Sequence, residues 1–163
     1  GDYNHLAASG YGSHLAASGN HSHLAASGYH SKLAASGYGS HLAASGYGSH
    51  LAASGDYNKL AASGKDNQLA ASGNHSELAS SGDYNHLAAS GYGSHLAASG
   101  KKSIAICAGL SGTASAGEDG CIALAWWDDD GDRYRLEIGY VGEKGIKSNT
   151  FYRLNKDHKF VEA

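Results

Sequence analysis

The chain has 163 residues, a formal net charge of -3 with its histidines neutral, and 24 glycines but no proline and no methionine. The mildly negative charge argues against a protein that binds nucleic acid through the phosphate backbone, and no apolar run is long enough for membrane insertion. Two cysteines, Cys107 and Cys121, are too few for a disulfide framework, so we expect two small buried residues there.

A nine-residue repeat, Gly-x-x-Ser/Asn-x-Leu-Ala-Ala-Ser, fills residues 1–99. Its glycines are Gly1, Gly10, Gly19, Gly28, Gly37, Gly46, Gly55, Gly64, Gly73, Gly82 and Gly91. A short fixed period with a glycine turn is typical of a solenoid, in which each unit buries its apolar side by stacking on a neighbour. Because Gly1 stands at a repeat boundary and no initiator methionine precedes it, we expect the array to be trimmed from a longer one.

Each repeat, numbered one to nine from its glycine, predicts one turn and one strand. Side chains alternate along a strand, so positions four, six and eight (Ser or Asn, Leu, Ala) face inward, and positions five, seven and nine face outward. Glycine in every repeat leaves no room for a stable helix. Two repeats return the chain to its starting side, which predicts an all-β β-solenoid of six to seven coils, with about 18 residues per coil and about 4.8 Å between coils. The predicted core consists of Leu6, Leu15, Leu24, Leu33, Leu42, Leu51, Leu60, Leu69, Leu78, Leu87 and Leu96.

Position five places histidines in columns on the two outer faces. One column reads His5, His23, His41, Lys59, Glu77 and His95, and the other reads His14, Lys32, His50, Gln68 and His86. Neighbouring imidazoles in register can share a metal ion, which makes His5, His23 and His41 a candidate metal site. A flat column supplies two or three of the four ligands that a closed site needs, so a solvated polar column is the alternative. Repulsion between charged imidazoles also predicts lowered histidine pKa values and a loss of stability as pH falls through about 6.

Position two predicts a tyrosine ladder along one edge of the solenoid. Tyr11, Tyr29 and Tyr47 are expected to stack there, before Lys65 ends the run. A strip of stacked tyrosines suits self-association, and the alternative is a ladder that stabilises its own turns. The other edge reads Asp2, Asn20, Tyr38 and then Asp56, Asn74, Tyr92, a second-order repeat.

The repeat pattern weakens after Gly100. Residues 100–127 predict degenerate terminal coils, one of which is a residue short, and residues 128–163 predict a small β-rich capping unit built on a hairpin. The acidic run Asp128–Asp132 predicts the hairpin turn, because it lacks the alternating ligand spacing of a calcium loop. The large cap residues are Trp126, Trp127, Tyr134 and Tyr152.

The cap resembles that of a known family. Trp127-Asp, Asp132-Arg-Tyr-Arg, Gly142-Glu-Lys-Gly-Ile-Lys and Phe151-Tyr-Arg-Leu-Asn look like the C-terminal cap of bacterial ice nucleation proteins, and the Gly-Tyr-Gly-Ser units are similar to that family's repeats. The resemblance implies a β-solenoid, a tyrosine ladder that serves assembly, and outward Thr-x-Thr motifs that order water. Here the repeat is one residue longer, and the outward threonine positions hold residues such as His14 and Ala16.

Nothing in the sequence predicts an enzyme or a cofactor. No Gly-x-Ser-x-Gly elbow, positioned Ser-His-Asp set or glycine-rich phosphate loop is present. We therefore expect a structural or interaction protein, a rigid repetitive surface that self-associates into a homo-oligomer or filament. One alternative is an ice-binding or ice-nucleation-like protein that contacts ordered water, and another is a metal-responsive histidine surface. Bacterial cytoplasm, cell surface and a phage-encoded origin all remain open.

Overall fold

Each nine-residue repeat forms one short strand and one tight turn. The structure, a computed structural model, describes residues 1–163 and contains no helix, hence none that could span a membrane. The strands of the array are β1 (His5–Ser9), β2 (His14–Ser18), β3 (His23–Ser27), β4 (Lys32–Ser36), β5 (His41–Ser45), β6 (His50–Ser54), β7 (Lys59–Ser63), β8 (Gln68–Ser72), β9 (Glu77–Ser81), β10 (His86–Ala89), β11 (His95–Ala98), β12 (Ile104–Cys107) and β13 (Thr113–Ala116). Four more complete the chain: β14 (Cys121–Asp128), β15 (Arg133–Tyr140), β16 (Tyr152–Leu154) and β17 (Phe160–Glu162).

From β1 to β14, successive strands alternate between two sheets, which makes the molecule a β-solenoid of about seven coils. The nine-stranded sheet has the order β1-β3-β5-β7-β9-β11-β13-β16-β17, and the eight-stranded sheet has the order β2-β4-β6-β8-β10-β12-β14-β15. Neighbouring strands of the array are parallel, and partners such as Leu6 and Leu24 hold the same position in repeats that are two apart along the chain. The predicted fold class and coil length are therefore confirmed.

The core is a double row of leucine and alanine between the sheets. The alternation along each strand is the predicted one, with Leu and the second Ala buried and the flanking residues exposed. The predicted leucines from Leu15 to Leu96 are buried, and Leu6 is an exception. Leu6 is half-buried because it lies in the first strand, whose outer edge no further coil covers.

Position four forms a buried polar row beneath each turn. The side-chain oxygens of Asn58 and Asn67 accept hydrogen bonds of 2.8 Å from the backbone N–H groups of Ser40 and Ser49, one coil earlier. Asparagine therefore joins successive coils, whereas several buried serine hydroxyls have no partner. These hydroxyls belong to Ser31, Ser40 and Ser49 at position four, and to Ser80, which replaces the second alanine at position eight of its repeat.

Position three of each turn lies in the left-handed region of backbone conformation. Gly48 has φ = 67° there, and Tyr57 and His30 adopt 59° and 56°. A Cβ on Gly48 would lie 2.7 Å from Nδ1 of His30, the position-three residue of the preceding coil. Glycine is thus required at Gly48 for its backbone conformation and for the room it gives the His30 ring.

Both sheets end in antiparallel strands at the C-terminal end. The repeat from Gly109 to Ala116 is one residue short, so the strand partners that span it are one residue closer along the chain. His86 pairs with Ile104, 18 residues later, whereas Ile104 pairs with Cys121, 17 residues later. β14 continues through the predicted boundary at residue 127 and turns into β15, so the last coil and the cap share one strand. On the other sheet, β16 pairs antiparallel with β13 and β17 pairs with β16.

The predicted cap residues divide between a packed interior and an exposed hairpin. Tyr152 is buried, and its hydroxyl accepts a 2.9 Å hydrogen bond from the backbone N–H of Lys147. The Trp126 ring stacks on His158 at 3.7 Å between ring centroids. On the hairpin, Trp127 meets Tyr134 edge to face at 5.0 Å.

The acidic run forms the predicted hairpin turn. The Asp128 carboxylate accepts a 3.2 Å hydrogen bond from the backbone N–H of Gly131 and a further one from Nε of Arg135. The Arg135 guanidinium holds the pKa of Asp128 below its ordinary value.

Both cysteines are free. Cys107 is buried as predicted, and burial raises the pKa of its thiol. Cys121 is only half-buried, which corrects the expectation of two buried residues. It occupies position five of its repeat, on the outward side of β14.

Candidate functional site

A shallow trough runs along the outer side of each sheet. We call the outer side of the nine-stranded sheet the first face and that of the eight-stranded sheet the second face. Each trough has a volume of about 850 Å³ and is lined by residues of positions seven to nine, which are alanine or serine apart from Ile106 on the second face. On the first face it runs from Ala7 and Ser9 to Ala97 and Ser99. The faces are therefore regular rows of methyl and hydroxyl groups.

The predicted histidines are exposed and lie in the expected columns: His5, His23, His41 and His95 on the first face, and His14, His50 and His86 on the second. On the first face, His5 stacks on His23 at 5.0 Å between ring centroids, and His23 lies 4.7 Å from His41. On the second face Lys32 and Gln68 separate the histidines, so no two imidazoles are neighbours.

The column on the first face affects the titration of one of its members. Partial burial lowers the pKa of His41 most, and the charges of His23 and Lys59 lower it further, against an opposing contribution from Glu77. The next two residues of the column, Lys59 and Glu77, form an ion pair of 2.9 Å.

The three histidines proposed as metal ligands do not form a preformed metal site. His5 and His23 face each other with an interplanar angle of 2°, so their nitrogens do not converge on a common point. No group of three or more His, Cys, Asp or Glu side chains is arranged to hold a metal ion. The first-face column thus has the geometry of a polar stack.

Tyr11, Tyr29 and Tyr47 lie along one turn edge, as predicted, but their rings do not stack on one another. His30 lies between Tyr11 and Tyr47 and meets both edge to face, at 5.3 and 5.6 Å between centroids. Tyr29 makes no stacked or edge-to-face contact with another aromatic ring. The prediction of a continuous ladder of these three tyrosines is therefore wrong, because the position-three ring of His30 occupies the space between coils.

Charged residues follow the tyrosines along this edge, which we call the mixed edge. A hydrogen bond to the Asp66 carboxylate raises the pKa of Tyr47. Lys65 forms an ion pair of 3.0 Å with Asp83. The pair raises the pKa of Lys65 and lowers the pKa of Asp83, so that both charged forms are favoured. The Lys102 ammonium lies over the Tyr84 ring at 5.7 Å.

A continuous ladder of six rings runs along the opposite edge, which we call the aromatic edge. The centroid distances between successive rings are 5.3, 5.6, 5.2, 5.0 and 5.8 Å. The tyrosines are between 47% and 69% exposed, so each ring supports its neighbours and keeps a free side. The six rings belong to Tyr3, His21, Tyr38, Tyr57, His75 and Tyr92.

The sequence contains a signal for this ladder that the reading of position two alone misses. Tyr3 and His21 come from position three of their repeats, whereas Tyr38 comes from position two and is followed by glycine. The same order returns from Tyr57 onward. Reading positions two and three together would have shown one ring in every coil on this edge.

Acidic and amide side chains fix the backbone beneath the ladder. Asp2 accepts a 2.8 Å hydrogen bond from the N–H of Asn20, and Asn20 accepts a 2.9 Å bond from the N–H of Tyr38. The next three coils repeat the arrangement through Asp56 and Asn74. Three successive coils thus form one unit of the aromatic edge.

Comparison with known proteins identifies neither a family nor a function for the chain. No family model and no solved structure matches the chain. The chain is similar to the uncharacterized protein YdhT of Escherichia coli, with 43% identity over 47 residues. That stretch is 29% of this chain and 17% of YdhT, so the chain spans less than a fifth of the length of the relative that it matches.

Proposed function

We propose that this protein is a structural β-solenoid, without enzymatic activity, that self-associates side by side through its aromatic edge. The observation that carries the proposal is the six-ring ladder from Tyr3 to Tyr92, exposed along its outer side. Tyrosine combines a large apolar ring with a polar tip, which makes it a common anchor residue in protein interfaces.

The spacing of the ladder favours another solenoid as the partner. Successive rings follow the distance between coils, about 4.8 Å. A second copy carries the same spacing, so rings of two ladders can interdigitate along their full length. Each aromatic pair formed contributes about 0.5–1.5 kcal/mol beyond the burial of its area.

The composition of the troughs supports a role without catalysis. Apart from Ile106, the residues that line them are alanine and serine, which offer no general acid or base.

Sedimentation velocity across a range of protein concentrations tests self-association. We expect the mass of the unaltered protein to grow with concentration, and the double variant Tyr38→Ser, Tyr57→Ser to reduce that growth. Tyr29→Ser is the matched control, since Tyr29 is comparably exposed on the mixed edge and lies outside the ladder.

Two results would contradict the proposal. One is a protein that stays monomeric at every concentration, and the other is a double variant that associates as strongly as the unaltered chain. Growth that disappears with a chelator would instead favour the metal-responsive histidine surface.

Ice binding is the second candidate function, and the two troughs are the observation that favours it. They present parallel rows of methyl and hydroxyl groups at the coil spacing, on sheets joined by regular hydrogen bonds between coils. The cap that resembles ice nucleation proteins supports the same candidate. Droplet-freezing and thermal-hysteresis assays test it, with Ala43→Lys and Ala52→Lys as variants that fill the troughs. Freezing no different from that of buffer would exclude this candidate.

A further inference from the structure

The outer edge of β15 is unpaired. β15 is the last strand of the eight-stranded sheet and pairs with β14 on one side only. The N–H of Val141 donates a 2.9 Å hydrogen bond to the carbonyl of Gly120, which sets the alternation along the strand. The N–H and C=O groups of Tyr134, Leu136 and Ile138 consequently point away from β14 and have no backbone partner.

The same strand carries an exposed apolar row. Leu136, Ile138, Tyr140 and Tyr134 lie on one side of β15 and are 50% to 61% exposed. A long edge strand with free backbone groups and apolar side chains is a template for pairing with another strand. β17, the last strand of the other sheet, is three residues long and offers a much smaller edge.

We propose that β15 pairs with β15 of a second copy, antiparallel about a twofold axis at Leu136. In this register Leu136 lies opposite Leu136 of the second copy, and Tyr134 lies opposite Ile138. The free N–H and C=O groups of both strands then bond to each other. The two eight-stranded sheets join into one, and the solenoids meet at their C-terminal ends.

Charge selects this register over its neighbours. On the other side of β15, Arg135 faces Glu137 of the second copy, in both directions. Glu137 makes no ion pair within its own chain, and Arg135, which donates its Nε–H to Asp128, keeps its terminal guanidinium donors. A register centred on Glu137 or on Arg135 would place like charges opposite each other, which is unfavourable.

Disulfide trapping tests the register directly. In a Cys121→Ser background, the Leu136→Cys variant is expected to form a covalent dimer under mild oxidation. Cα atoms of a hydrogen-bonded antiparallel pair are about 5.5 Å apart, within the range that a disulfide spans. Ile138→Cys alone is expected to give at least tenfold less dimer, because in this register its Cα lies about 13 Å along the strand from its own copy, beyond the reach of a disulfide. A mixture of Ile138→Cys with Tyr134→Cys is expected to restore it.

The experiment is made in the double variant Tyr38→Ser, Tyr57→Ser, so that association through the aromatic edge does not contribute. Leu136→Lys alters an exposed side chain and leaves the bonds to β14 intact. In sedimentation velocity, this variant is expected to be a monomer. A monomer in this background before that change, or an Ile138→Cys dimer as abundant as that of Leu136→Cys, overturns the inference. Either result leaves the proposal for the aromatic edge standing, because that proposal depends on the ladder variants alone.

Discussion

The two turn edges are built from the same backbone turn and carry different surfaces. Both have glycine at position one, a left-handed residue at position three and a buried Ser or Asn at position four. On the aromatic edge, these turns carry six rings in contact with one another. On the mixed edge, the ring contacts end at Tyr47, and the following turns carry an ion pair and a lysine ammonium over the Tyr84 ring. The constant frame of the repeat therefore sets the fold, and positions two and three set the surface.

The comparison also shows how rings are accommodated between coils. Where a histidine occupies position three, the residue at position three of the next coil is often glycine, as in His75 followed by Gly93. The ring then occupies the space that a Cβ would take. An edge can be changed from aromatic to charged by altering positions two and three. The first three of the following tests alter position three or the buried residue at position four, and the last one alters the first face.

The largest effect is expected from alanine at the glycine that follows a histidine. Gly93 and Gly12 have φ of 66° and 70°, but a Cβ at Gly93 would lie 2.8 Å from the His75 ring and one at Gly12 would meet nothing within 4 Å. Gly93→Ala is expected to lower the free energy of unfolding by about 2–3 kcal/mol, from backbone strain plus displacement of the ring. Gly12→Ala is expected to cost about 1 kcal/mol, from strain alone. Urea denaturation measures both, and equal losses would show that the His75 ring does not resist the added methyl group.

The next effect compares two tyrosines with the same backbone conformation. Tyr57 has φ = 59° and lies between the rings of Tyr38 and His75, whereas Tyr84 has φ = 61° and contacts Lys102. Tyr57→Ala is expected to cost about 1–2 kcal/mol through two lost ring pairs, and Tyr84→Ala about 0.5 kcal/mol through one exposed cation–π contact. Thermal unfolding distinguishes them, because the backbone strain is the same in both. A larger loss at Tyr84 would mean that the charged edge is the better stabilised one.

A smaller effect, this time a gain in the free energy of unfolding, is expected from a substitution at position four beneath the mixed edge. The Ser49 hydroxyl is buried without a partner, whereas Asn67 and Asn85 at the same position bond to the backbone on both sides. Ser49→Asn is expected to raise the free energy of unfolding by about 1 kcal/mol. Asn67→Ser is the reciprocal control and is expected to lower it by a similar amount. No change in either variant would mean that the buried amide bonds contribute nothing net.

The smallest effect concerns pH and the first face. The pKa of His41 in the folded protein is below the ordinary histidine value of 6.5, so the unfolded chain binds a proton more readily. The corresponding stability is fully present above about pH 6.5 and is lost as pH falls through the lower pKa of His41 in the folded protein. We expect the melting temperature to fall between pH 7.5 and 5.5, and to fall less in His41→Gln. An equal fall in both proteins would show that other groups cause it.

The sequence was sufficient for the fold because the signals for it are local. Alternation at Leu and Ala fixes which side of a strand is buried, and a regularly recurring glycine fixes the turns, so the coil length followed from counting. The short repeat before Gly117 was also visible, and the closer spacing of the partners Ile104 and Cys121 follows from it.

The candidate surfaces were harder to predict because they depend on contacts between coils. Whether Tyr11 meets Tyr29 or His30 depends on how the left-handed residue at position three directs its ring, which composition does not reveal. The open edge of β15 depends on which strands pair in the cap, where no repeat indicates the partner.

The three-coil unit of the aromatic edge bears on how an array of this kind changes length during evolution. An in-frame duplication or deletion of one coil, which is two repeats, preserves the pairing of both sheets, since strand partners along the array hold the same position in successive coils. It disturbs the order of rings, because Asp2 and Asp56 begin the same motif three coils apart. A change of three coils preserves the pairing and the ladder together. Recombination in steps of three is therefore neutral for both the fold and the edge, and steps of one are neutral for the fold alone.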